Sequence, residues 1–170
     1  MSFYDLDKSE RIELVEKINQ QILSELKSEK QKYILDYFSD EDTYIRKTGY
    51  LAIGKIYIAN KTLHPSILKL LNKLFKYENE KIRQTVINAA GEIGKTDFKS
   101  IEQLMNVGLL DEHHSVRNAV IGSIKKMGEK NPKPILAFAK SFLKHPDKEI
   151  RREICHGIEL RGRTHPQDIL

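Results

Sequence analysis

The sequence predicts an all-α protein of the right-handed α-solenoid class, an α-α superhelix of helical hairpins, on three observations. An aliphatic residue followed by arginine occurs four times, at Arg46, Arg83, Arg117 and Arg151, with spacings of 37, 34 and 34 residues. A period of this length is typical of stacked helical hairpins. Apolar residues recur three, four, seven and ten positions after the second and third arginines, which places them on one helix face. No segment alternates with the two-residue period of a strand.

A leading helix is expected at about residues 7–26. Asp7 followed by Glu10 has the spacing of a helix cap and its reciprocal partner. The apolar positions behind this cap fall at helical spacing and are Ile12, Val15, Ile18, Ile22 and Leu26. In a solenoid, such a helix covers the open end of the stack.

Four helix pairs follow, at about residues 28–57, 65–94, 97–128 and 132–162. Prolines lead into two of the first helices, where the missing amide has no cost. Three of the second helices have a favourable capping residue four positions before the arginine: Asp42, Asn79 and Asp147. Glycine stands eleven positions after three of the arginines, at Gly94, Gly128 and Gly162, where we expect it to end the helix in the left-handed conformation.

We interpret residues 1–170 as a single repeat domain, because a solenoid of this length forms one continuous core. Residues 165–170 repeat the entry into a first helix and then stop after about one turn, which is too short to be stable alone. A terminal repeat needs a polar cap. The sequence therefore predicts that the native chain continues past Leu170.

The composition favours a cytoplasmic protein. The first residues lack the basic and apolar pattern of a secretory signal, and no apolar stretch is long enough to span a membrane. The single cysteine, Cys155, cannot form an internal disulfide, which fits a reducing compartment. Cys155 stands four positions after Arg151, at an apolar position of the repeat, so we expect it to be buried.

The repeats at residues 42–56, 79–94 and 113–128 resemble HEAT repeats, with a Gly-x-Ile-Gly turn at Gly91 to Gly94. Within that superfamily the chain is most similar to the HEAT-like proteins of the bacterial DNA alkylation repair group, including its segment 153–166. For the enzymes of that group the resemblance implies a basic concave face that holds duplex DNA and a catalytic aspartate framed by tryptophans. This chain contains no tryptophan, so no catalytic position is assigned.

Net charge and helix faces indicate where a partner would bind. The net charge is +5, and residues 111–170 hold 12 basic and 8 acidic side chains, so an anionic partner would meet the second half. Positions one, five, eight and nine after each arginine point away from the core, and we expect them to line the concave side. Glycines among them would let a partner approach the backbone. The candidate partner-binding or phosphate-binding residues are Lys47, Lys55, Asn88, Lys125, Lys126, Arg152, His156, Arg161 and Arg163.

The repeated arginines are interpreted as structural. Acid and base are four residues apart at Asp42 and Arg46 and at Asp147 and Arg151, a spacing that stabilises a helix by a few tenths of a kcal/mol. The guanidinium can also reach an acid or a carbonyl in the next repeat. The structural ladder consists of Asp42, Arg46, Arg83, Arg117, Asp147 and Arg151.

No metal site, cofactor or catalytic constellation is predicted. His156 and Glu159 have a chelating spacing, but two ligands are fewer than a stable zinc site needs. Three functions stay open: a non-catalytic scaffold for a protein, a DNA-binding protein of the alkylation-repair type, and an active glycosylase with its aromatic frame in tyrosine, phenylalanine or a segment past Leu170. They are ranked in that order, with protein or duplex DNA as the partner.

Overall fold

The computed structural model describes residues 2–169. In these residues all regular structure is helical, and none of the helices contains an apolar stretch of the length that a bilayer requires. The helices are α1 Lys8–Ser28, α2 Lys32–Ser39, α3 Thr43–Ala59, α4 His64–Leu74, α5 Glu80–Gly94, α6 Glu102–Leu109, α7 His114–Lys130, α8 Pro132–Ser141 and α9 Lys148–Thr164, with 3-10 turns at Phe3–Asp5, Lys61–Leu63 and Pro166–Asp168. The chain forms two compact units that divide between Ala89 and Ala90.

In the N-terminal unit, α1 begins with the predicted reciprocal cap. The Asp7 carboxylate accepts the Glu10 amide at 2.9 Å, and the Glu10 carboxylate accepts the Asp7 amide at 2.8 Å. These bonds satisfy amides that have no partner within the helix. The Glu10 amide is also the main reason that the pKa of Asp7 lies below its usual value, with the Ser9 hydroxyl adding to the effect.

Helix α1 packs on α2 and α3 through its buried side chains, which include Ile18, Ile22 and Leu26. Its Glu25 is only 4% exposed, and it is not left as an unpaired charge. The carboxylate accepts the amides of Tyr33 at 3.0 Å and Ile34 at 2.9 Å, at the first turn of α2. Glu25 therefore caps the first turn of the neighbouring helix from α1.

The second helices, α3, α5, α7 and α9, all begin at a capping side chain. Asp42 accepts the Tyr44 amide, Asn79 that of Lys81 and Asp147 that of Glu149, at distances from 2.8 to 2.9 Å. In α7 the cap is His113, whose Nδ1 accepts the Ser115 amide at 3.3 Å. Histidine was not recognised as a cap in the sequence, because its ring nitrogen is a rare acceptor at this position.

In the C-terminal unit, α7 packs against α6, α8 and α9. The predicted left-handed glycines are wrong: in residues 2–169 no glycine has a positive φ, and Glu29 alone among the other residues does. Helices α7 and α9 run on past Gly128 and Gly162, and their C-cap residues are Asn131 and His165, both with φ near −140°. The chain leaves these helices through residues with negative φ, so no glycine is required there.

Gly94 is needed for packing instead. A Cβ atom at this position would lie 2.2 Å from the Met127 sulfur and 3.0 Å from Cδ1 of Ile101. The backbone of α5 therefore lies against the side chains of α7 and of the turn before α6, where no side chain fits. The glycine that the repeat pattern marks at position 94 is therefore explained by close helix packing and not by a left-handed helix end.

Candidate binding surfaces on the second helices

The four repeated arginines hold the loop that precedes their own helix. Each Nη1 atom donates to two consecutive carbonyl oxygens, those six and five residues earlier. For Arg83 the distances are 3.0 Å to Tyr77 and 2.6 Å to Glu78; for Arg117 they are 2.7 Å to Asp111 and 2.9 Å to Glu112. The corresponding acceptors are Asp40 and Glu41 for Arg46, and His145 and Pro146 for Arg151. We call these four residues the loop-clasp arginines.

This geometry differs from the acid–base pairing expected within each helix. The carboxylates of Asp42 and Asp147 accept backbone amides, while Arg46 and Arg151 bond carbonyls that would otherwise lack a partner in the turn. Arg83 is only 7% exposed. The hydrogen bonds thus support a structural role for the ladder, and they leave its guanidinium groups little freedom to bind a ligand.

In the N-terminal unit, a groove runs between α3 and α5, and we call it the α3–α5 groove. It holds two of the candidate residues, Lys47 and Asn88, and its lining contains no carboxylate. The lining residues are Thr43, Tyr44, Arg46, Lys47, Tyr50, Gln84, Thr85 and Asn88. Lys47 is exposed, as is Lys55 two helical turns further along α3. Gln84 and Asn88 are half-buried and belong to the exposed side of α5.

An aromatic cluster lies beside this groove. The rings of Phe3 and Tyr44 stack with centroids 6.0 Å apart, and Tyr4 meets Tyr44 edge-on at 4.4 Å. The guanidinium of Arg11 lies 5.5 Å from the Tyr4 ring. The pKa of Tyr44 is raised, first by its hydrogen bond with Tyr4. Sequence reasoning missed this cluster, because Phe3 and Tyr4 precede the first helix and belong to no periodic pattern.

In the C-terminal unit, three of the candidate side chains on α9, Arg152, His156 and Arg163, are paired with carboxylates of the same helix. Arg152 contacts Glu149 at 2.5 Å, and His156 Nδ1 lies 3.0 Å from Glu159, which also pairs with Arg163. The pKa of Glu159 is lowered, chiefly by the Arg163 guanidinium and further by the bond with His156. The charges of Arg152, His156 and Arg163 are therefore compensated within the helix, although the composition alone suggests a basic surface.

Arg161 has a different environment from the other candidates. Its Nη2 and Nε atoms donate to the Asp168 carboxylate at 2.6 and 2.8 Å, and its side chain is only 15% exposed. The Lys140 ammonium reaches the Asp168 carbonyl at 3.3 Å. These contacts fasten the Pro166–Asp168 turn to α9 and α8. The Arg161 guanidinium is therefore engaged within the protein, unlike those of Arg152 and Arg163, which lie at the surface.

Two expectations about the exposed helix positions are wrong. Gly91, expected to admit a partner, is buried: a Cβ there would lie 2.4 Å from the Ser123 hydroxyl on α7. Cys155, expected in the core, is exposed. The equivalent side chain on α7, Ile121, is buried, since α9 packs on that helix.

The histidines have local partners. The His64 ring stacks on Tyr57 at 3.6 Å, and its Nε2 atom lies 2.7 Å from the Tyr57 carbonyl oxygen. His113 caps α7 and stacks on His114. Across residues 2–169, no three or more His, Cys, Asp or Glu side chains lie together in an arrangement that could hold a metal ion.

Comparison with known families agrees with the repeat geometry. The family model for HEAT repeats matches residues 32–125, which is more than half of the chain. This match, the α-solenoid class of the fold and the recurring loop-clasp arginines define a helical-repeat protein. The chain belongs to the HEAT-repeat family.

Among solved structures, the chain resembles the crystal structure of an engineered protein from the Northeast Structural Genomics Consortium. The identity is 14% and the TM-score 0.39, over 75% of this chain. The chain spans 61% of the length of that engineered protein. No curated protein matches it significantly.

Proposed function

We propose that the chain is a non-catalytic HEAT-repeat scaffold that binds a protein partner through the exposed sides of its second helices. HEAT repeats commonly serve as protein-binding scaffolds. The observation that carries the proposal is the charge compensation on α9, where Arg152, His156 and Arg163 each lie against a carboxylate of the same helix. The rim of a protein interface is polar and solvent-accessible, and a helix surface of mixed charge suits such a rim.

An apolar side chain lies among these paired charges. Leu160 is 47% exposed, and it follows His156 by four residues and precedes Arg163 by three, so the three share one side of α9. An exposed leucine inside a polar ring gains free energy when a protein surface covers it. A phosphate backbone would offer it no comparable contact.

The alternative is a DNA-binding protein of the alkylation-repair type, as the sequence resemblance implies. One observation favours it: Lys47, Lys55 and Lys125 form no ion pair with any of residues 2–169. Binding to duplex DNA through such lysines must weaken steeply between about 50 and 200 mM salt, since each phosphate contact releases counterions. A salt titration with a short duplex therefore tests this alternative directly.

The protein-binding proposal is tested by selecting binders from a library of random peptides and mapping each by ¹H–¹⁵N chemical-shift changes. We expect shifts at solvent-accessible second-helix residues such as Asn118, which is exposed, and Asn88 and Lys125, which are half-buried. Peptides that change the chemical shifts of exposed residues on the first helices α4, α6 or α8 alone contradict the proposal. So does a protein that selects no peptide and binds duplex DNA with the steep salt dependence described above.

A further inference from the structure

We propose that the α3–α5 groove binds an acidic polypeptide segment in an extended conformation. In this arrangement the carboxamides of Gln84 and Asn88 bond the main chain of the segment, and Lys47 bonds its side-chain carboxylates. The inference rests on the proposed scaffold function and names the chemistry of its partner. Every residue involved belongs to the N-terminal unit.

The two carboxamides are available for an external partner. Within residues 2–169 neither Gln84 nor Asn88 has a side-chain hydrogen bond. Other helical asparagines of the same unit behave differently: the side-chain amides of Asn19, Asn60 and Asn72 donate to the carbonyl oxygen four residues earlier, at 2.7 to 3.1 Å. Asn88 makes no such bond to Gln84, so its side-chain donors and acceptor, which line the groove, have no protein partner among residues 2–169.

Their spacing fits an extended peptide. Residues four apart on a helix have Cβ atoms about 5–6 Å from each other. In an extended chain the residue repeat is about 3.3–3.4 Å, so peptide groups that point the same way recur at about 6.7 Å. A carboxamide carries both a donor and an acceptor, as a peptide group does. Gln84 and Asn88 can therefore bond two peptide groups on the same edge of an extended segment.

The charge of the groove selects an acidic segment. Its lining holds Lys47 and Arg46 and no carboxylate, and Lys47 has no ion-pair partner among residues 2–169. The carboxylates just before α3 are already engaged: Glu41 pairs with Lys81 at 2.5 Å, and Asp42 accepts the amides of Phe3 and Tyr44. Since Arg46 clasps its loop, Lys47 is the cation left for a ligand carboxylate.

The test uses three fluorescein-labelled probes and fluorescence anisotropy. The first probe is a short peptide of alternating Glu and Thr, the second replaces Glu by Lys, and the third is the Glu–Thr peptide with alternate backbone amides methylated. We expect the full-length protein to bind the first probe and to reject the second. Methylation should weaken binding by about threefold to tenfold, because it removes main-chain donors without changing charge.

Matched variants assign the binding to the groove. Lys47→Glu should lower the affinity for the acidic probe by about tenfold or more. Asn88→Ala and Gln84→Ala should each lower it by about threefold to tenfold. Lys76→Glu and Gln20→Ala change exposed residues in the turn after α4 and on α1, outside the groove, and should leave affinity within about twofold. Thermal unfolding followed by circular dichroism identifies any variant that is not folded. If one of the carboxamide variants, Asn88→Ala or Gln84→Ala, does not fold, the other is used for the test.

Three outcomes overturn the inference. If Asn88→Ala, Gln84→Ala and backbone methylation all leave affinity unchanged, the attraction is charge alone. If an oligonucleotide binds more tightly than the acidic probe and Lys47→Glu releases it, the groove is a nucleic-acid site. If the acidic probe does not bind while library peptides still shift the exposed second-helix residues, the scaffold proposal stands and this inference fails.

Discussion

A Cβ atom added to Gly91 would lie 2.4 Å from the hydroxyl oxygen of Ser123 and 2.7 Å from its Cβ. Helices α5 and α7 therefore touch at this point with no room for a methyl group. We expect Gly91→Ala to lower the free energy of unfolding by about 1–3 kcal/mol, since overpacking outweighs the better helix propensity of alanine. Urea denaturation measures the difference, and Ser123→Gly in the same chain should restore part of it.

Gly122 is the matched control on α7. It lies inside the helix, and a Cβ built there has no neighbour within 4 Å. Gly122→Ala should stabilise the protein by about 0.5–1 kcal/mol, because only the helix propensity changes. Equal destabilisation by both substitutions would contradict the packing explanation for Gly91.

Arg83→Ala should lower the melting temperature strongly. The side chain is buried and holds the carbonyls of Tyr77 and Glu78, and hydrogen bonds to a charged group contribute about 1.5–3 kcal/mol. Thermal unfolding followed by circular dichroism measures the loss. Arg163→Ala, with a side chain 75% exposed, should change stability by less than about 0.5 kcal/mol. If the Arg83 variant melts at the wild-type temperature and no longer binds a partner, Arg83 contributes to binding and not to stability.

The carboxyl group of Asp42 should make stability depend on pH in the acid range. Partial burial acts to raise its pKa, but the amides of Phe3 and Tyr44 outweigh burial, so the pKa lies below the usual 3.8. Such a group stabilises the protein above its unfolded-state pKa, and the contribution is lost as pH falls through the folded-state value. The stability difference between wild type and Asp42→Asn should therefore shrink as pH falls from about 6 to about 3.

Asp36→Asn serves as the control for this pH dependence. Asp36 is exposed on α2, and its carboxylate accepts no hydrogen bond from residues 2–169. Urea unfolding of this variant should follow the wild-type pH profile. A stability difference for Asp42→Asn that stays constant down to about pH 3 would show that charge does not contribute to the cap.

The exposed thiol of Cys155 should react with Ellman's reagent in the native protein. Because the side chain is accessible without unfolding, we expect one equivalent of thiol to react at the same extent with and without denaturant. Cys155→Ser should change the free energy of unfolding by less than about 0.5 kcal/mol. If the thiol reacts only in denaturant, Cys155 is buried in the native protein, as its position in the repeat predicts.

Some local features were predictable because they depend on neighbours in the chain. The Asp7–Glu10 cap and the caps at Asp42, Asn79 and Asp147 involve residues two or three apart, so residue type and spacing suffice. The helical class followed equally from the recurrence of apolar residues, and the family match to HEAT repeats agrees with it.

The candidate site was less predictable, because availability depends on what each side chain contacts. Arg152 and Arg161 look alike as isolated arginines, yet one lies on Glu149 at the surface and the other on Asp168 against the helix. Asn88 looks like Asn72, but only Asn72 is hydrogen-bonded to its own helix. These differences arise from side-chain rotamers and neighbours that no spacing rule contains.

The sequence by itself determined the repeat, the helix caps and the apolar faces, since each of these is set within one or two helical turns. Only the tertiary structure decided why Gly91 and Gly94 are glycines, why Cys155 is exposed, and which cations remain unpaired. Those outcomes depend on contacts between helices, at Ser123, Met127 and Ile101, and on the helix that covers a given face. The same apolar position is core where another helix packs on it and surface where none does.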